Sequence, residues 1–139
     1  MPGILGNFMF LLILEQKFEL WVHNTYKPKK YKKMVSTMLA VYIPCPTKKK
    51  ARDIAALLLQ KKLIACANIF PSTSMYFWKG KLHNTKEFII LAKTMENKYK
   101  EIEKIVLSTH SYDCPCITAW KIDKSTAAYT TWVNTMVGK

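Results

Sequence analysis

Potential metal ligands and reactive side chains are concentrated in one stretch of this chain, HSYDCPCITAW, residues 110–120. It places an imidazole (His110), a carboxylate (Asp113) and two thiols (Cys114 and Cys116) within seven residues. Thiolates with an imidazole are soft ligands that suit copper(I) or zinc. In an extended chain residues i and i+2 share a face, so both sulfurs can point the same way. We predict a weak metal site, because structural zinc sites usually show a second cysteine pair.

The two remaining cysteines widen the candidate set. Cys45 follows the first predicted strand, and Cys66 lies in the second. A free cysteine is commonly a small buried hydrophobe, which is the alternative role for Cys66 and Cys116. The alternative for His110 is a helix-terminal residue whose charge suits the helix dipole. The chain has enough core to need no disulfides, so we expect reduced thiols and a cytoplasmic location.

The sequence lacks the common catalytic motifs. There is no G-x-S-x-G and no P-loop, and four glycines cannot build a phosphate cradle. An RNA-recognition domain would need aromatic motifs on its central strands, where MLAVYI and EFIILAKT are mostly aliphatic. We therefore predict a protein that is not an enzyme.

The composition is strongly basic, with a formal net charge of +13. Such an excess normally favours polyanions. Only one of the 22 basic residues is an arginine, Arg52, although arginine is the usual bidentate reader of phosphates and guanines. We therefore expect a solvated basic surface and no nucleic-acid partner.

The N-terminal segment differs in character from the rest. Residues 4–14, ILGNFMFLLIL, are apolar but too short to cross a bilayer, which takes about 20 residues. Residues 26–33, YKPKKYKK, are typical of a solvated linker. We interpret residues 1–34 as an extension that is disordered or not natively translated, since Met34 is an alternative start. Residues 35–139 form the predicted domain, and no membrane partner is expected.

The domain begins with strand and helix signals. Residues 38–43, MLAVYI, predict a buried strand that Pro44 and Pro46 end. Thr47 is expected to cap the next helix. That helix has apolar residues at helical spacing, namely Ala51, Ile54, Ala55 and Leu58.

Residues 64–94 predict one long, bent antiparallel hairpin, interrupted at Pro71 and turning at residues 83–85. Tyr76 and Trp78 are expected to share one face of it. An aromatic ribbon with unpaired edges invites pairing with another chain. A closed homo-oligomer would cover both the aromatic residues and the edges.

After the hairpin, the second half of the domain again shows the signals of a helix followed by a strand. Thr94 is expected to cap a second helix that ends at His110, and residues 117–122 are expected to form a last strand. Ser125 should then cap a final helix. The order β-α-β-β-α-β plus a C-terminal helix predicts an α+β, ferredoxin-like split βαβ fold, with an antiparallel sheet and helices on one face.

These motifs, in this order, resemble the CutA divalent-cation-tolerance family. The resemblance spans residues 38–137, and the segments that carry it are VYIPCP (41–46), KKLIACANIFPSTSMYFWKGKL (61–82), EFIILAKT (87–94), HSYDCPCI (110–117) and AYTTWV (128–133). It implies a compact homotrimer with ferredoxin-like subunits and a role in tolerance to divalent metals, copper above all. It implies no established catalytic step.

The family's site residues are matched only in part. His110 and Tyr112 match the family histidine and tyrosine. Copper ligands credited to some members are a cysteine late in the first strand and two adjacent histidines. Here Ile43 occupies the first of these positions, and Thr109 precedes His110. Cys116 stands where the family usually has a glutamate, which replaces a hard oxygen ligand with a soft sulfur.

Two functions follow from these residues. The first is weak binding of copper, or of another divalent cation, by His110 with Cys114 or Cys116, with Cys45 as a substitute ligand. The second is a PII-like regulatory trimer that binds a small anionic ligand in inter-subunit clefts lined by Trp78, Lys93, Tyr112 and Trp132. A third possibility is an assembly scaffold whose effect on metals is indirect.

Overall fold

A computed structural model of the protein describes residues 16–17 and 37–138. Within them the order is β1 (Met38–Cys45), α1 (Lys48–Gln60), β2 (Cys66–Trp78), β3 (Lys81–Met95), α2 (Tyr99–Thr109), β4 (Thr118–Lys121) and α3 (Ala127–Met136), with a short 3-10 helix, Glu96–Lys98, before α2. None of the described helices is long and apolar enough to cross a membrane. Apart from residues 16–17, the predicted extension at 1–34 lies outside the described residues.

The four strands pair antiparallel in the order β2-β3-β1-β4. The strands that a helix joins, β1 with β2 and β3 with β4, are not neighbours in the sheet, whereas β2 and β3 form a hairpin. This is the topology of the split βαβ unit, and the predicted ferredoxin-like fold is confirmed.

The main core lies between one face of the sheet and helices α1 and α2. From β1 it takes alternate residues, Leu39, Val41, Ile43 and Cys45, as the pleat of a strand requires. From the helices it takes Ala51, Ile54, Ala55, Leu58, Ile102 and Val106. The apolar stripe predicted for the first helix is therefore confirmed, and each large buried side chain contributes about 1.5–3 kcal/mol.

Pro44 lies inside β1, so the prediction that it ends the strand is wrong. It pairs with Ile89 of β3, and its carbonyl accepts a hydrogen bond from the ring of His110. In an antiparallel ladder the N–H and C=O of one residue point to the same side. On that side β4 pairs with β1 only as far as Tyr42. The missing N–H of Pro44 therefore removes no hydrogen bond from the sheet.

The hairpin of β2 and β3 turns earlier than predicted. Residues 83–85 lie within β3, and the turn is at Lys79 and Gly80, between the paired ends of the two strands. These two residues have φ angles of 50° and 76°, positive as a type I′ hairpin requires. Pro71 does not interrupt β2, contrary to the prediction, because β2 is an edge strand where a proline nitrogen can face away from the ladder.

Of three predicted helix caps, the first is confirmed, since the Thr47 side chain caps α1. The second is wrong, because Thr94 is buried in β3 and its hydroxyl donates to the carbonyl of Leu63. The third is displaced by one residue. Thr126, and not Ser125, accepts a backbone N–H from the first turn of α3.

Gly80→Ala is expected to lower the free energy of unfolding by about 1 kcal/mol, because a residue with a Cβ is strained at positive φ. No atom lies within 4 Å of the added Cβ, so the cost is conformational. Urea denaturation at a fixed chain concentration measures it. Lys79→Asn is the control and should retain or raise stability, since asparagine suits this turn. An equal loss in both variants would contradict the turn assignment.

Candidate functional site

A cavity of about 510 Å³ lies on the face of the sheet opposite α1 and α2. β1, β2, β3 and the loop between α2 and β4 supply its lining residues, which are Tyr42, Pro44, Ser74, Tyr76, Trp78, Glu87, Tyr112, Asp113, Cys114 and Cys116. This volume is typical of small-molecule sites.

The alternation of side chains along each strand decides which residues reach the cavity. In β1 the side chains of Val41 and Ile43 face the helices, so Tyr42 between them faces the cavity. In β2 both Tyr76 and Trp78 line the cavity, which confirms the common face predicted for them.

Glu87 is the buried charge of the cavity wall, with 5% of its surface exposed. One carboxylate oxygen accepts a hydrogen bond of 2.8 Å from the Tyr112 hydroxyl, and the other accepts from the Ser74 hydroxyl. Both donors are neutral. In the part of the chain that the structure describes, no lysine, arginine or histidine forms an ion pair with Glu87. The carboxylate is thus hydrogen-bonded, but its charge has no cationic partner, which is an unusual state for a buried charge.

The phenols around Glu87 stay neutral. Burial raises the pKa of Tyr112 above its ordinary value, and the hydrogen bond to Glu87 raises it further. Burial also raises the pKa of Tyr42, with smaller contributions from Cys116 and Glu87. At neutral pH both hydroxyls therefore keep their protons and add no charge to the cavity.

His110 holds the loop after α2 against the sheet. Its Nε2 lies 2.8 Å from the carbonyl oxygen of Pro44, and its Nδ1 accepts the backbone N–H of Tyr112 at 3.1 Å. An Nδ1 that accepts must be unprotonated, so the ring is neutral with its proton on Nε2. Both ring nitrogens are therefore occupied, and His110 could bind a metal only by breaking one of these bonds.

The four cysteines lie in different environments. Cys114 and Cys116 are exposed on the cavity wall. Cys45 is buried in the main core, where burial raises the pKa of its thiol from 9.0 to about 11. Cys66 is half-buried, with its sulfur 3.4 Å from the Tyr129 hydroxyl. The structure therefore brings only the thiols of Cys114 and Cys116 to the cavity.

The predicted metal ligands are not assembled into one site. Among residues 16–17 and 37–138, no group of three or more His, Cys, Asp or Glu side chains is placed to hold an ion. Cys45 faces the helices, and His110 is bonded to the backbone. Cys114, Cys116 and Asp113 remain on the cavity wall. The two thiols suit a soft cation, whereas the carboxylate is a hard ligand, and the three together are fewer ligands than a structural zinc site takes.

Two of the four residues predicted for an anion-binding cleft, Trp78 and Tyr112, line this cavity. Lys93 and Trp132 are not lining residues, and the Lys93 ammonium donates to the side chain of Asn68 on β2. As far as the structure describes them, the cavity walls carry two carboxylates and no lysine or arginine. The cavity of a single chain therefore favours a cationic or neutral ligand over an anion.

Glu87, Ser74 and Tyr42 were not predicted as site residues. Glu87 opens the otherwise apolar segment EFIILA, and an isolated acidic residue there was a usable signal. Ser74 shares the alternation of Tyr76 and Trp78, so the same pattern includes it. Tyr42 gave no comparable signal, because every residue of MLAVYI suits a buried strand.

Comparison with known proteins identifies one family for this chain. Residues 39–136 match the family model of the CutA1 divalent ion tolerance protein. The divalent-cation tolerance protein CutA of Archaeoglobus fulgidus is 39% identical over 97 residues, which cover 70% of this chain and 95% of that protein. The protein of the same name from Thermotoga maritima is 37% identical over 100 residues, which cover 72% of this chain and 99% of that protein.

The structural comparison agrees with the sequence comparison. A solved structure of the periplasmic divalent cation tolerance protein CutA from Archaeoglobus fulgidus matches with a TM-score of 0.71 at 38% identity. The match covers 72% of this chain and 98% of that one.

Cys114 and Cys116 are expected to react with a maleimide at least about tenfold faster than Cys45, because they are exposed and the raised pKa of Cys45 leaves little thiolate. Mass spectrometry of peptides from the native reduced protein, sampled over time at pH 7.5, measures the rates. The same protein in urea is the control, where all four thiols should react alike. Fast native labelling of Cys45 would contradict its placement in the core.

Proposed function

Because this chain belongs to the CutA1 divalent ion tolerance family, we propose that it is a non-enzymatic tolerance protein that binds copper or a similar metal ion weakly. The observation that supports metal binding is the pair of exposed thiols, Cys114 and Cys116, on a cavity wall with two carboxylates. The relatives from Archaeoglobus fulgidus and Thermotoga maritima are named for cation tolerance and not for a reaction.

Cys114 and Cys116 are the proposed ligands, and a soft ion such as copper(I) is the proposed metal. Asp113 adds a carboxylate nearby on the wall. In this proposal His110 is a positioning residue, because its ring anchors the loop that carries both thiols. Cys45 contributes no ligand, since its thiol is buried on the other face of β1. We propose weak affinity because no group of three or more His, Cys, Asp or Glu side chains among the described residues is placed to hold an ion.

We also propose a homotrimer in a reducing, cytoplasmic compartment. Several large apolar side chains of the hairpin are exposed in the single chain, with 64% of Met75 and 74% of Phe77 accessible. β2 and β4 are the edges of the described sheet, and exposed edges with apolar neighbours favour pairing between copies. All four cysteines are free thiols, which suits a reducing compartment.

Replacing both ligands, Cys114→Ser/Cys116→Ser, is expected to weaken copper(I) binding at least about tenfold, because serine hydroxyls are poor ligands for a soft ion. Titration of the reduced protein against a chromophoric copper(I) chelator measures the affinity. Cys66→Ser is the matched control, since it removes a thiol away from the cavity, and should bind as wild type does. Equal affinity in the double variant and the wild type would exclude these thiols.

The wild-type protein is expected to sediment at three times the chain mass of 16.1 kDa, with or without a metal chelator. Phe77→Asp should reduce this mass, because a charge cannot be buried unpaired in an apolar interface. Leu107→Asp is the control, since Leu107 is exposed on α2 and away from the hairpin. A wild-type monomer, or a trimer lost on chelation, would contradict the proposal.

A further inference from the structure

The outward side of α1 has a basic character that the neighbouring helix lacks. Residues 48–62, which cover α1 and the turn after it, include six basic residues and one acidic residue. Residues 96–109, which cover the short 3-10 helix and α2, include three lysines and three glutamates. Both helices pack on the same face of the sheet. The excess of cations is therefore a property of α1 and not of the whole helical layer.

These cations have few partners in the chain. Lys49 forms an exposed ion pair of 2.7 Å with Asp53, the one acidic residue of the segment. Among the residues that the structure describes, Lys48 and Arg52 form no ion pair. They are exposed one helical turn apart, where like charges repel, and the helix dipole disfavours cations in a first turn. The two charges therefore reduce the stability of the helix, and an anionic partner would neutralise them.

We propose that the outward side of α1 binds an acidic, extended segment of another protein. The helix is 13 residues long, which corresponds to about 20 Å, and about six residues of an extended segment span the same length. Carboxylates of the segment pair with Lys48 and Arg52 near one end of α1 and with Lys61 and Lys62 near the other. Arginine suits this role, because its planar guanidinium binds a carboxylate through two hydrogen bonds.

The centre of this surface favours a protein over other polyanions. Ala56 and Leu59 are exposed between the basic ends, so an apolar side chain of the segment can contact them. Proteins usually hold single-stranded nucleic acids by stacking on aromatic side chains, and residues 48–62 include none. A helix that lies on a membrane buries a broad apolar face in the lipid, but the apolar face of α1, with Ile54 and Leu58, is buried against the sheet.

The proposed homotrimer leaves this surface accessible. Its copies pair through the hairpin and the edge strands β2 and β4. α1 covers the face of the sheet opposite the cavity, and its outward side belongs to neither edge. The proposed metal ligands, Cys114 and Cys116, line the cavity on the other face. Binding of an acidic segment therefore goes beyond the proposed function and does not depend on it.

A fluorescein-labelled heptapeptide with six glutamates around a central leucine provides the test. The same peptide with glutamines in place of the glutamates is its uncharged control. Anisotropy titration with the full-length, reduced protein at low salt is expected to show at least about tenfold tighter binding of the glutamate peptide. The affinity should fall as salt is added, since exposed charges are screened. Equal affinities for the two peptides, or no binding of the glutamate peptide, would overturn the proposal.

Two variants that remove equal charge locate the surface. Lys48→Gln/Arg52→Gln should weaken binding of the glutamate peptide at least about fivefold, because it removes two cations from α1. Lys100→Gln/Lys104→Gln is the matched control, since it removes the same charge from α2 and should change the affinity less than about twofold. Equal losses in both variants would indicate attraction to the net charge of the chain, and the proposal would be wrong.

Folding and assembly are measured on the same variants. Lys48→Gln/Arg52→Gln is expected to keep or raise the Tm, because it removes cations that the helix dipole disfavours. It should also sediment with the mass of the wild type. A smaller mass would make α1 a contact between copies and would contradict an accessible surface.

Two further probes distinguish the class of partner. Vesicles that contain phosphatidylserine and a single-stranded hexanucleotide are titrated under the same conditions as the glutamate peptide. Both are expected to bind more weakly than the peptide, because α1 offers neither a free apolar face nor an aromatic side chain. Tighter binding of either probe that is lost in Lys48→Gln/Arg52→Gln would replace the acidic protein segment as the ligand of this surface.

Discussion

A chain of hydrogen bonds joins the loop after α2 to three strands, and the cavity depends on it. The carbonyl of Pro44 accepts from the His110 ring, which in turn accepts the backbone N–H of Tyr112. The Tyr112 hydroxyl then donates to Glu87, which also accepts from Ser74. Hydrogen bonds to a charged group contribute about 1.5–3 kcal/mol each, more than neutral ones. The buried carboxylate is therefore the strongest member of the chain and holds the cavity walls together.

This chain of bonds is possible because of where the sheet stops. β4 is short and pairs with β1 only up to Tyr42, which leaves the backbone side of Pro44 open. The carbonyl of Pro44 needs a donor there, and proline offers no N–H that would need an acceptor. The His110 ring supplies that donor, so the proline suits this edge of β1. The loop consequently crosses the open end of the sheet and carries Cys114 and Cys116 to the cavity wall.

The elements of the fold could be predicted from local patterns, whereas the site could be predicted only in part. The apolar spacing that begins at Ala51 and the alternation of Tyr76 and Trp78 are local, and both predictions are confirmed. The turn at Gly80 was missed because residues 83–85 are also polar and suit a turn. Glu87 was missed because its role depends on Tyr112, which is 25 residues distant in sequence. Glu87 is marked in the sequence as an isolated acidic residue, but only the pairing of strands and loop shows its connection to Tyr112.

The charge of the whole chain does not predict the charge of this cavity. The formal net charge is +13, with 22 basic residues, yet the described walls carry only carboxylates as charged groups at neutral pH. Long lysine side chains lose solvation and conformational freedom when buried, so they stay on the surface. A cleft lined by charges of one sign concentrates the field of those charges, because its walls exclude water. The local field at Glu87, and not the net charge, therefore sets the electrostatic character of this cavity.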